Sequence, residues 1–337
     1  MKHIHTTLFC VLILVGSVQA EIHLVDNRGS GDYLTIQQAI NDDLNVFAGD
    51  TLYIQGSAQV YDGFTCDKRL VIIGTGYRLS DNPQTSASGL FPFIDAEATF
   101  IAGSEGSILS SVAFNEAVGT QRPEIIADNI TIERCYLVHG ITMRGDRSGI
   151  VIRNNYFKDF GIVDVVGTDN YQNVSLIGNI FEANLSVLST SNEDRLYSVV
   201  EHNLFLGDLL IQASIFRNNI WVPYIDESNF GVSSGTILNN LAFNGQIGLE
   251  NGNQGFSELA QVWNTINTGS FDGRFRLDPN SAFKGMATDG TDPGPFGGSQ
   301  PYVLSGVPQI PIIYELFTTG AGSQEEGLPI TIKIRNP

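Results

Sequence analysis

Three clusters of charged residues carry the side chains that could do chemistry. Arg144, Asp146 and Arg147 form the first, Lys158 and Asp159 the second, and Glu193, Asp194 and Arg195 the third. Cations beside carboxylates suit an acidic sugar. Arginine or lysine neutralises the sugar carboxylate, and a neighbouring base removes the adjacent proton. The plainer reading, which the residues favour, is of solvated loop charges that pair locally. Metal chemistry has less to stand on. His23, His139 and His202 are far apart and lack metal-ligand spacing. Asp292 and the acidic loops offer calcium oxygens, but no calcium-binding motif accompanies them, so no cofactor is expected.

The clusters fall between copies of a repeat. Six segments share one pattern, anchored on Cys135, Asn155, Asn179, Asn203, Asn219 and Asn240 at spacings of 20, 24, 24, 16 and 21. Three residues before each anchor stand Ile132, Ile152, Leu176, Val200, Phe216 and Ile237. Two residues after it stand Leu137, Phe157, Phe181, Phe205, Trp221 and Ala242. Apolar and polar residues alternate with strand period. One such unit cannot bury its apolar face alone, but stacked units can, which predicts an all-β right-handed parallel β-helix. An inward polar residue at a bend needs a partner. Asn155, Asn179, Asn203, Asn219 and Asn240 are therefore expected to bond one another in a structural ladder. The sequons at Asn129, Asn173 and Asn184 are short enough to arise by chance.

Both ends of such a stack need closing. Thr35 and Gln38 fit a capping box, with Ile36, Ala39 and Ile40 on one face of a short helix that would cover the first coil. Residues 78–93 read as an insertion loop. The chain divides into a signal peptide over 1–20, a β-helix with its cap over 21–300, and an extended strap with a β-hairpin over 301–337. The hairpin is expected from Ile312–Thr318 and Leu328–Arg335.

Lys2, the apolar run Leu8 to Val15 and the Val18-Gln19-Ala20 boundary have the layout of a secretory signal, too short to span a bilayer. No second long apolar stretch follows, so no transmembrane segment is expected after cleavage. A secreted or cell-surface location follows. Cleavage removes one Lys and no acid, leaving 17 basic against 36 acidic residues, a balance of −19. That surface repels nucleic acid. It would also repel a polyuronate unless a cation or a local basic patch intervened. Export permits a bridge between Cys66 and Cys135, but the repeat points Cys135 inward, and buried thiols fit better.

On these residues the chain resembles the pectin-lyase-like superfamily of right-handed parallel β-helices. The stretch Gly29 to Ile40 looks like the opening of pectinesterases and related secreted proteins. The C-terminal run Asp289 to Gly298 is similar to exported β-helix proteins of Bacteroidetes-like bacteria. The resemblance implies the fold and an extracellular polysaccharide as partner, bound and in some members processed. It does not bring a catalytic set. Asp50-Thr51-Leu52 lacks the preceding Gln of pectinesterases, Thr168-Asp169-Asn170 has the wrong order for polygalacturonases, and the pectate-lyase arginine signature is missing. A non-catalytic structural or adhesive surface module is the competing expectation.

Overall fold

The structure is a computed structural model. It describes residues 20–82, 85–114, 121–164, 170–182, 185–186, 196–222, 230–233, 235–263, 270–318, 320–324 and 327–335. Residues 1–19, where a secretory signal is expected, lie outside the described residues.

Each copy of the repeat folds as two short strands joined by a two-residue bend, as in Val151–Arg153 and Tyr156–Phe157. The first strands pair parallel in a 12-stranded sheet and the second strands in a nine-stranded sheet; a third, five-stranded sheet completes the stack. Register follows the repeat. Ile132, Ile152, Leu176, Val200, Phe216 and Ile237 lie side by side in the first sheet. Leu137, Phe157, Phe181, Phe205, Trp221 and Ala242 do so in the second. Both rows enter one continuous core, which also holds Cys66 and Cys135. The two thiols are unbridged, and burial pushes them up to about 11 and about 12. The molecule is thus all-β, with long stacked parallel sheets consistent with a β-solenoid.

The bend is built from two residue types. Its first residue adopts left-handed backbone: Arg134, Asn154, Gly178, His202, Asn218 and Asn239 have φ between 52 and 65°. Asparagine and glycine tolerate this region best. Its second residue is a buried asparagine, except after Arg134, where it is Cys135. The Asn155 backbone N–H donates to Asn179 Oδ1 at 3.0 Å, and its Nδ2 donates to the same oxygen at 3.1 Å. The pattern repeats from Asn179 to Asn203, Asn203 to Asn219, Asn219 to Asn240 and Asn240 to Asn253. Asn253 extends the ladder by a rung that its spacing of 13 residues had hidden.

The helix Ile36–Ile40 carries its capping box. Gln38 N–H donates to Thr35 Oγ1 at 3.1 Å, and Gln38 Oε1 accepts from Thr35 N–H at 3.2 Å. Its buried face, Ile36, Ala39 and Ile40, packs on the strands Ile22–Val25, Thr51–Ile54 and Phe64–Cys66. Thr35→Ala should cost about 1 kcal/mol of stability, the usual worth of an N-cap. Urea denaturation checks it, and a wild-type midpoint would remove the cap from the account.

Two features depart from the repeat's outline. The second sheet is apolar on both faces. Its outward residues Tyr136, Tyr156, Ile180, Leu204, Ile220 and Leu241 form a second cluster, covered by Phe271, Phe275, Phe283 and Tyr302. The covering chain then runs back along the left-handed corner. Asn239 Nδ2 donates to Met286 O at 2.6 Å, Thr288 N–H to Asn218 Oδ1 at 2.9 Å, and Asn154 Nδ2 to Gln300 O at 3.3 Å. Arg134 Nη1 donates to Val307 O at 3.0 Å. The strap contacts therefore begin well before residue 301. Its far end is held by Asp272, fully buried, which accepts from Asn82 Nδ2 at 2.8 Å, Ser305 N–H at 2.7 Å and Tyr302 Oη at 3.1 Å. Beyond it, Ile312–Thr318 and Ile330–Arg335 pair antiparallel as a hairpin.

Candidate functional site

The structure separates the charged residues that the repeat had placed between coils. Arg144 follows the third-sheet strand Ile141–Met143 and pairs with Glu124 on the neighbouring strand. Arg147 reaches the Ile126 carbonyl and, at 3.6 Å, Asp128. Asp146 Oδ1 accepts from the Asn170 backbone at 2.9 Å. These three side chains tie successive loops together. Lys158 and the exposed Asp159 instead follow the second-sheet strand Tyr156–Phe157. The two sets therefore end strands of different sheets and do not stack in one groove. Glu193, Asp194 and Arg195, and the sequon residue Asn184, lie outside the described residues. A groove of about 560 Å³ crosses the third sheet, lined by Thr65, Asp95, Glu97, Thr99 and Gln121. Among the described residues, no cation lines it.

Lys158 belongs to a denser cluster. Glu182 occupies the same place one copy later, directly after Ile180–Phe181. Its carboxylate accepts from Lys158 Nζ at 2.9 Å, Tyr156 Oη at 2.6 Å and Arg274 Nη2 at 2.9 Å. Arg274 comes from the covering segment, in the short turn Gly273–Phe275, and also donates to Tyr156 Oη at 3.2 Å. Aromatic rings hold the guanidinium: Arg274 lies 4.6 Å over Phe275 and 5.6 Å from Phe271. Phe271 also carries Arg78 at 4.1 Å and packs on Tyr156 with centroids 4.6 Å apart.

The electrostatics are those of a cation-rich spot. Burial alone would raise the Glu182 carboxyl, but the hydroxyl, ammonium and guanidinium around it outweigh burial and lower it. It stays charged. Burial, then the Glu182 charge, push the Tyr156 hydroxyl well up, so it stays protonated and donates. Lys158 and Arg274 share this one carboxylate while 36% and 44% of their side chains remain exposed. One positive charge is thus in excess, facing solvent beside an aromatic ring. The sequence held half of this cluster in view. Lys158 and Glu182 follow equivalent phenylalanines, Phe157 and Phe181, whereas nothing local announces Arg78 or Arg274.

Among the described residues, no group of three or more His, Cys, Asp or Glu side chains is placed to hold a metal ion. No described helix is long and apolar enough to cross a membrane. Comparison with protein-family models, curated proteins and solved structures finds no match to this chain.

Proposed function

We propose that this chain is an exported right-handed parallel β-helix of the pectin-lyase-like kind, with Ile36–Ile40 capping one end, that binds an acidic extracellular polysaccharide. The observation that carries the reading is the convergence of Lys158 and Arg274 on the single carboxylate of Glu182, beside Phe271. An acidic chain overall needs a local basic patch to hold a polyuronate, and this cluster supplies one. A sugar carboxylate would meet the exposed guanidinium and ammonium. The stacked sheets present a long surface suited to a linear polymer.

Affinity electrophoresis against polygalacturonate, alginate and dextran tests this. The mature protein should be retarded by a uronate polymer and not by dextran. Binding should weaken with salt, as contacts between exposed charges do, and fall at least tenfold in the Lys158→Gln/Arg274→Gln variant. Unsaturated-product absorbance in the same samples reports any lyase activity. Absence of retardation by either uronate at low ionic strength would overturn the proposal.

A second reading, an adhesive module, is favoured by the hairpin. Leu316, Phe317, Ile330, Ile332 and Ile334 are all half or more exposed there, an unusual concentration of apolar surface. Loss of surface attachment on deleting residues 312–335, with glycan binding intact, would support that reading.

A further inference from the structure

The left-handed corner contains one gap. Along it, Arg134, Asn154, His202, Asn218 and Asn239 each send a side chain to the strap. Gly178, between Asn154 and His202 in this column, has no side chain to send. Beside it opens a cleft of about 630 Å³ between the first sheet and the strap, whose lining includes Gly178, Glu201, Arg217, Asp289, Ser299 and Gln300. Its size lies within the range of small-ligand sites, about 300–1,000 Å³.

Behind Gly178, Asn154 is only 2% exposed. A Cβ on Gly178 would lie 2.2 Å from its Oδ1. The glycine backbone therefore packs directly on the asparagine and itself lines the cleft. On one wall Arg217 Nε donates to Glu201 Oε2 at 2.7 Å. On the other, Asp289 stands 3.5 Å from His202 Nε2 and accepts from Thr291. Ser299 and Gln300 add a hydroxyl and an amide.

The balance of groups selects a ligand. An anion would face Glu201 and Asp289, and a cation would face Arg217. A ligand of hydroxyl groups meets neither penalty, because each hydroxyl donates once and accepts twice. It can give a proton to Glu201 or Asp289 and accept from Arg217 or Gln300. We propose that this cleft binds an uncharged sugar residue, at a site separate from the Lys158–Arg274 cluster.

Titration calorimetry and saturation-transfer NMR with cellohexaose, xylohexaose and mannohexaose test the proposal on the mature protein. At least one hexasaccharide should bind saturably and, unlike the uronates, with little dependence on salt. Gly178→Asn restores a side chain to the column with a residue that tolerates left-handed backbone, and it should weaken binding at least tenfold. Glu201→Gln keeps the shape, breaks the wall's ion pair and should do likewise. If circular dichroism shows that Gly178→Asn does not fold, Glu201→Gln decides alone. Failure of all three sugars to bind the wild type, or binding indifferent to the folded variants, overturns the site. The uronate result stands or falls separately, because it reads a different cluster.

Discussion

Phe181→Ala should lower stability by about 3–5 kcal/mol, the range for deleting a ring from a packed core. Phe181 is fully buried. Its ring stacks on Phe157 at 4.4 Å and on Phe205 at 5.1 Å, with planes within 14°. Phe205 continues the stack to Phe216 at 6.1 Å. The parallel register sets these rings above one another. The same register prevents their closing over a void, because each neighbour sits in a strand paired on both sides and beside a rung of the asparagine ladder. The cavity left behind should therefore stay open, which places the loss in the upper part of the large-to-small range. Urea denaturation measures it. A loss under about 1 kcal/mol, little more than one buried methylene is worth, would mean that the ring is outside a packed stack.

What the sequence discloses, and what it withholds, divides along the range of the interactions. The register of the first two sheets is legible because each copy repeats the same inward residues at a fixed offset from its asparagine. Ile132 beside Ile152 and Phe157 beside Phe181 follow from that offset alone. The covered outer face was also written there, in the two apolar residues after each anchor, such as Ile180 with Phe181. Strands buried on both faces read this way, and the one-in, one-out reading passed over it. The third sheet is less legible: its strands, such as Ala98–Phe100 and Ile141–Met143, fall outside the recurring pattern. The strap is least legible. Tyr77 meets Tyr302 across 225 residues and Arg134 meets Val307 across 173. No periodicity relates such partners. The candidate site inherits this division, with Lys158 and Glu182 on the repeat and Arg274 brought to them only by the covering segment.

The asparagine ladder gives the second large effect. Asn179 makes four side-chain bonds. Its Oδ1 accepts from the backbone N–H of Asn155 and from Asn155 Nδ2, while its Nδ2 donates to Ile152 O at 2.8 Å and to Asn203 Oδ1 at 3.0 Å. Asn155 Nδ2 keeps a bond to Ile132 O, and Asn203 Oδ1 keeps the backbone N–H of Asn179. Asn179→Ala therefore bears hardest on the Asn155 N–H and the Ile152 carbonyl, each worth about 1–3 kcal/mol when left unsatisfied in an interior. Partial relaxation brings the expected loss to about 2–4 kcal/mol. The effect should be local as well as large. Hydrogen exchange at the Asn155 amide should quicken more than at Leu52, several coils away, because stacked arrays couple chiefly to nearest neighbours. Uronate and hexasaccharide affinity per folded molecule should not change, since Asn179 is sealed from solvent. A variant with the wild-type melting temperature and lost glycan binding would reverse the assignment, making Asn179 a ligand-contacting residue. A variant that loses stability and keeps binding places the asparagines in the scaffold, with recognition left to the groups outside the core.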